Sequence, residues 1–464
     1  MRLSPAAVPV DKQRPKEETF GASRKSKYRT RSAGLKTKEK GWVNIMKSVS
    51  MTAIPGQSVA CIQAFAILLA ICLAAAPAAQ AQTFKLVHTF TGTPDGAQPF
   101  QSSPLILNGA LYGTTLFGGL YNDGTIFKVD RTGKETVLYN FAGGADGSVP
   151  DGTLIADAKG NLYGTTNNGG DLTCPFSPET GCGVVFKFNA QGLTPLYTFT
   201  GGPDGAFPQG VVIDSAGNLY GGTYNGGDPG CVCGVVYKLD TSGNQTVLHT
   251  FTGGTDGGSP NGFVSIDSAH NVYGAALGGG NLADCAGAGC GLIFKIDSSG
   301  NETELYDFTG GADGDLPNAA FLMDAAGNLY GTTIGGGDLT CSAGGVTGCG
   351  VVFQVTAAGK EHVLYTFHGA DGAQPNYGFI KDTRGNGYST TTYGGLYGFG
   401  TVFALSPGRV EKRLYSFTGG ADGANPYSGL AMDPMGNIYS NTYQGGDLSC
   451  NPPYGCGTLF RISH

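Results

Sequence analysis

The chain has 464 residues, of which 80 are glycine, 22 tyrosine and 25 phenylalanine, with a charged fraction of only 14%. Glycine at positive-φ turns between short aromatic strands points to an all-β fold. Residues 1 to 81 hold 13 of the 28 basic and 4 of the 35 acidic residues, so the remainder carries 15 against 31. That net charge of about −16 disfavours nucleic acid and anionic lipid as partners.

In chain order, residues 1–45 are a basic leader, as in Arg24-Lys25-Ser26-Lys27, and read as unstructured or as upstream of a true start at Met46 or Met51. An apolar run from about Val59 to Ala76 follows, then Pro77 and the small-residue site Ala79-Gln80-Ala81. Residues 46–81 thus read as a secretory signal cleaved before Gln82. Kept as an anchor, the run would be marginal for the roughly 20 residues of a spanning helix, and Cys72 lacks the small preceding residue of a lipoprotein site. The mature part, residues 82–464, is expected in the periplasm, at the cell surface or in the medium, with no membrane span and as a monomer.

From Gln82 onward the sequence repeats. Asp-Gly-x-x-Pro recurs at Asp95, Asp146, Asp204, Asp256, Asp313, Asp371 and Asp422. Between anchors come four apolar segments, shown by Gly210 to Asp214, Asn218 to Thr223, Gly234 to Leu239 and Thr246 to Phe251. Each is short, β-branched or aromatic and bounded by turn residues, which is the pattern of strands. Asp-x-x-Gly-Asn (Asp214, Asp324, Asp433) joins the first pair and Asp-x-x-Gly (Asp240, Asp297) the second; both are hairpin turns. Four antiparallel strands repeated seven times predict a single seven-bladed β-propeller. The mature chain opens on a fourth-type strand (Lys85 to Phe90) and closes on a third-type strand (Gly457 to Ile462). The two are expected to pair and close the ring, which removes the sheet edges.

The unit resembles the GloVer-type tandem repeat of exported bacterial proteins. The resemblance is carried by Leu196-Tyr197-Thr198-Phe199-Thr200-Gly201-Gly202-Pro203-Asp204-Gly205, by Gly160-Asn161-Leu162-Tyr163-Gly164-Thr165-Thr166 and by Gly183-Val184-Val185-Phe186-Lys187, and it spans residues 84 to 463. It implies export and varied surface anchoring, and it brings no settled biochemical activity.

Ten cysteines fall as pairs in the loop between second and third strands: Cys174 with Cys182, Cys231 with Cys233, Cys285 with Cys290, Cys341 with Cys349, and Cys450 with Cys456. Two repeats lack both members, as loop-local disulfides in an exported protein require. No histidine stands beside them to complete a metal site. Gly-Gly-Asp precedes four pairs, at Asp171, Asp228, Asp338 and Asp447, with Asn281 in the fifth, and reads as a loop cap.

The seven anchor aspartates share a face with the cysteine loops. They read as turn residues and, functionally, as a binding face for which Ca2+ is the candidate cation, held by carboxylates and loop carbonyls. The sequence demands no other cofactor. Positions just before the cysteine loop vary between repeats: Phe117, Asn167, Tyr224, Leu277, Tyr393 and Tyr443. Of these, Tyr224, Tyr393 and Tyr443 could stack on sugars.

His88 and His249 stand where other repeats have Tyr139, Tyr197, Tyr306, Tyr365 and Tyr415, so no histidine recurs as a base. There is no Gly-x-Ser-x-Gly elbow, phosphate-binding glycine loop or His-Glu-x-x-His, and the single Trp42 lies in the leader. The recurring Tyr112, Tyr163, Tyr220, Tyr273, Tyr330, Tyr388 and Tyr439, with Phe127, Phe186, Phe294, Phe353 and Phe403, read as packing between blades. The sequence favours a non-enzymatic binding module for a glycan or surface protein on the acidic loop face. The alternatives are an extracellular polysaccharide hydrolase or lyase, with acids from single blades converging on the channel, and a purely structural envelope protein.

Overall fold

The computed structural model describes residues 82–463; the leader and the signal segment lie outside them. Each repeat forms a four-stranded antiparallel blade, and seven blades make up a β-propeller. The second blade is representative: Ser148–Ala156 is innermost, followed outward by Leu162–Asn168, Val184–Asn189 and Gly192–Thr198. Hairpin aspartates set the turns as expected. Asp214, for example, accepts from the amides of Ala216 and Asn218, both at 2.9 Å, and from the Tyr220 hydroxyl at 3.2 Å.

The ring closes as the ends of the sequence predict. Thr83–Thr89 pairs antiparallel with Thr458–Ser463, with Leu86 opposite Phe460 and His88 opposite Leu459. Inward of these lie Ile438–Thr442 and Ala431–Met432, so the seventh blade takes three strands from the end of the repeat array and one from its beginning.

Neighbouring blades are held by one recurring contact. The phenylalanine ending each outer strand packs on the aromatic third-strand residue of the next blade: Phe90 on Phe127, Phe141 on Phe186, Phe199 on Tyr237, Phe251 on Phe294, Phe308 on Phe353, Phe367 on Phe403 and Phe417 on Phe460. Ring centroids lie 5.0 to 5.4 Å apart, within the range favoured for edge-to-face pairs. The phenylalanines expected between blades are fully buried there. The second-strand tyrosines have a further task, as six of them donate to hairpin aspartates at 3.1–3.2 Å.

All five cysteine pairs are disulfides. In the two blades without them, other side chains occupy the space under the same glycine: Asp123 beneath Gly143 and Phe399 beneath Gly419. Among the described residues no helix is long and apolar enough to cross a membrane.

Candidate functional site

The connection between blades and the cysteine loop emerge on one face. In every blade a loop glycine amide bonds a connection carbonyl, as in Gly170 to Gly144 at 2.9 Å and Gly227 to Gly202 at 2.9 Å. The anchor aspartates sit in these connections, each engaged within its own turn. Asp204 accepts from the Tyr197 hydroxyl at 3.1 Å, the Thr200 amide at 2.8 Å and the Thr200 hydroxyl at 2.6 Å. Asp146, Asp313, Asp371 and Asp422 likewise accept from Tyr139, Tyr306, Tyr365 and Tyr415. His88 and His249 stand in the tyrosine position: His88 Nε2 hydrogen-bonds Asp95 at 3.0 Å, and His249 Nε2 lies 3.4 Å from Asp256 without a hydrogen bond. Burial, then the adjacent aspartate, pushes the Tyr139 hydroxyl up to about 12.

The structure therefore spreads the seven aspartates around the rim, one per turn, and does not gather them. The Gly-Gly-Asp residues are local caps too, Asp171 taking the Thr173 amide at 2.8 Å and Asp447 the Ser449 amide at 2.9 Å. Among the described residues the one cluster with metal-ligand geometry is Cys285, Cys290 and Asp315, whose cysteines are joined in a disulfide.

Inside the rim the geometry changes. The residue before each anchor proline (Gln98, Val149, Phe207, Ser259, Leu316, Gln374, Asn425) has a left-handed backbone, with φ between 50° and 59°. This conformation is costly for residues with a Cβ, most of all the β-branched Val149. It is held from the preceding blade. The Phe207 amide donates to the Cys182 carbonyl at 2.9 Å and Ser259 to Cys233 at 2.7 Å, while Asp123 and Phe399 provide the carbonyl where cysteine is missing. The cysteine loop of one blade thus fixes the start of the next inner strand.

At the residue after the proline the repeats diverge: Phe100, Asp151, Gln209, Asn261, Asn318, Asn376 and Tyr427. These residues ring the mouth of the central channel. The Tyr377 hydroxyl of the sixth blade is within electrostatic reach of Asp151 in the second and Tyr427 in the seventh, as residues grouped about the axis must be. One side of the mouth is aromatic, with Phe100 5.0 Å from Tyr427 and 5.2 Å from Tyr443, and with Tyr427 meeting Tyr393 and Asn376 through its hydroxyl. The other side is carboxylate and amide. Asp151, Asn261, Asn318 and Asn376 are 2–6% exposed, and each of them, like Gln209, has a buried polar atom without a partner. Asp151 has Asn167 and the Gly152 amide beside it, and burial pushes its carboxyl up to about 7.

Of the aromatics expected to face a ligand, Tyr393 and Tyr443 converge on this mouth. Tyr224 holds the equivalent place in the third blade, 38% exposed. The ring after the prolines escapes motif reading because it is a column of dissimilar residues; the available signal was amides at an inner-strand position otherwise expected to be apolar.

Beneath the mouth, Phe263 and Tyr377 meet at 5.8 Å between the fourth and sixth blades, a contact possible only by reaching into the channel. Below them lies an apolar cavity of about 300 Å3 lined from all seven inner strands, including Ser103, Thr153, Val211, Phe263, Phe321, Phe379 and Leu430. A larger crevice of about 980 Å3 opens where the closing strand meets the first blade. Along it Asp130 caps Thr132 and Lys134, Asp433 takes Tyr439 and Arg131 bonds the Asn108 carbonyl, and Arg461 Nε is the one buried polar atom of its lining without a partner. Five of the seven residues that follow the anchor prolines carry an unpaired buried polar atom, which makes the mouth the better candidate.

The sequence profile of the Gloeobacter/Verrucomicrobia repeat matches residues 76–228, 173–343 and 338–464. No curated protein matches the chain. Among solved structures, a gluconolactonase from Xanthomonas campestris is similar over 80% of this chain and 97% of its own, at 12% identity and a TM-score of 0.39. A luciferin-regenerating enzyme is similar over 82% and 95%, at 12% identity and 0.41. A protein from B. thetaiotaomicron, described as the extracellular domain of a hybrid two component system, is similar over 83% of this chain and 43% of its own, at 14% identity and 0.49. At these identities and scores none of the three bears on function.

Proposed function

The chain belongs to the Gloeobacter/Verrucomicrobia repeat family, and on that premise we propose that it is an exported, non-enzymatic binding module that holds a glycan at the channel mouth. One observation carries the reading: a framework repeated seven times presents a ring whose members differ in kind, aromatic in the seventh and first blades and carboxylate or amide in the second to sixth. A buried polar group left unpaired costs about 1–3 kcal/mol, and ligand hydroxyls would offset that cost. Phenylalanine and tyrosine rings offer flat apolar faces to a sugar. The rim aspartates and disulfides serve as the scaffold. Five disulfides and the signal read over residues 46–81 support export.

A hydrolase is the second reading, favoured by Asp151 as an acid in the channel that breaks the repeat pattern. Glycoside hydrolysis ordinarily requires two carboxyl groups roughly 5–9.5 Å apart, and no other ring position provides one. Binding is therefore preferred.

The test is a glycan array probed with and without Ca2+. Selective binding that survives chelation and is lost in the Tyr427→Ala, Tyr443→Ala double variant is the expected result. Loss of binding in chelator would put Ca2+ in the site and return attention to the rim. A blank array under both conditions would sink the glycan reading in favour of a protein partner or a structural role.

A further inference from the structure

We propose that the buried floor of the channel mouth receives a primary ammonium group, presented by an amino sugar at the end of a glycan chain; this rests on the glycan reading and narrows it. The unpaired atoms of the residues after the prolines are chiefly acceptors, Asp151 Oδ1, Gln209 Oε1, Asn318 Oδ1 and Asn376 Oδ1, against the donor Asn261 Nδ2 and, beneath them, the Tyr377 hydroxyl. An ammonium brings three donors and no acceptor. A carboxylate or sulfate would bring acceptors to acceptors.

Charge points the same way. Asp151 forms no ion pair among the described residues, and its neighbours, the Asn167 side chain, the Gly152 amide and the Tyr377 hydroxyl, bring no positive charge. A cation beside it would satisfy a buried charge that the protein leaves uncompensated. Burial, only partly offset by hydrogen bonds from Asn167 and the Gly152 amide, raises the Asp151 carboxyl to about 7, and a bound ammonium would draw it back to the ionised form. The rings of Phe100, Tyr427 and Tyr443 stand beside the same floor, where their faces attract a cation.

The channel does not run clear. Tyr377, 4% exposed, and Phe263 cross it beneath the ring, so a chain cannot thread through and only an end can enter.

The experiment is isothermal titration of the full-length protein at pH 7 with three probes: tetraglucosamine, its fully N-acetylated counterpart and tetragalacturonate. Tetraglucosamine is expected to bind about tenfold more tightly than the acetylated tetramer, with galacturonate showing no measurable binding. Asp151→Asn, nearly isosteric, is expected to remove that preference, weakening the amine about tenfold and the acetylated tetramer less than about threefold. Asn376→Asp, which adds a second carboxylate, is expected to tighten the amine and gives an independent readout should Asp151→Asn fold poorly. Equal affinity for amine and acetylated probes, or indifference to both substitutions, would overturn the ammonium site while leaving glycan binding intact. Absence of binding to every probe, together with a blank array, would overturn the glycan reading itself; binding of Ca2+ alone, abolished by Asp151→Asn, would assign the floor to a metal ion and overturn the inference.

Discussion

At the rim, Asp204 gives its oxygens to the Tyr197 hydroxyl and to the amide and hydroxyl of Thr200; five residues later, at the mouth, Gln209 buries a carbonyl oxygen that meets no donor. The first position is identical in all seven blades and the second differs in kind from blade to blade. Repetition of one bonded aspartate is what a structural turn requires. Variation with buried polar atoms left unsatisfied is what a ligand site can tolerate, because the ligand supplies the missing partners.

The strongest way to break this comparison is to measure stability at both places. Asp204→Ala removes three hydrogen bonds to a carboxylate and is expected to cost about 3 kcal/mol in denaturant unfolding. Asn318→Leu, which removes an amide whose oxygen has no partner, is expected to stay within about 1 kcal/mol of the parent. Equal losses would mean that the ring is as structural as the rim.

A somewhat smaller effect tests how the two places are joined. Replacing Cys174 and Cys182 together by serine opens a loop of about nine residues and is expected to cost roughly 2.5 kcal/mol. The Cys182 carbonyl holds the left-handed Phe207 amide at 2.9 Å, directly ahead of Pro208 and Gln209. Ligand affinity should therefore fall as well, and an unchanged affinity would show that the loop does not set the ring.

The smallest effect sharpens the picture of the rim. Burial first, and then a rim aspartate, raises Glu135, Glu302 and Glu361 from their ordinary 4.5 to about 7, the aspartates being Asp95, Asp256 and Asp313. These groups bind protons more readily folded than unfolded, so their contribution to stability is complete below about 4.5 and is lost as pH rises through about 7. The melting temperature is expected to fall between pH 5.5 and 8, less so in the Glu135→Gln, Glu302→Gln, Glu361→Gln triple variant. A triple variant with the parent's pH profile would show that these rim glutamates do not sense the turn aspartates.

The sequence by itself determined the architecture. Seven Asp-Gly-x-x-Pro anchors, four strand segments between them and a fourth-type strand at the start fix a ring closed by pairing near Leu86 and Leu459, because strand period and turn chemistry are local properties that each repeat states again. The disulfides were legible for the same reason, their members lying two to eight residues apart. Even the histidines at positions 88 and 249 were placed correctly by their column in the repeat.

The mouth was legible only in part. Tyr393 and Tyr443 stood out as variable aromatics, but nothing near either names Phe100, Asp151, Tyr377 or Tyr427 as a neighbour. Asp151 and Tyr377 are brought within reach across the axis by ring closure, and Phe100 meets Tyr427 because the last blade is completed by the first strand. Which polar atoms remain unpaired, and that Phe263 and Tyr377 block the channel beneath them, were decided by tertiary structure alone, since both depend on distances between blades far apart in the chain.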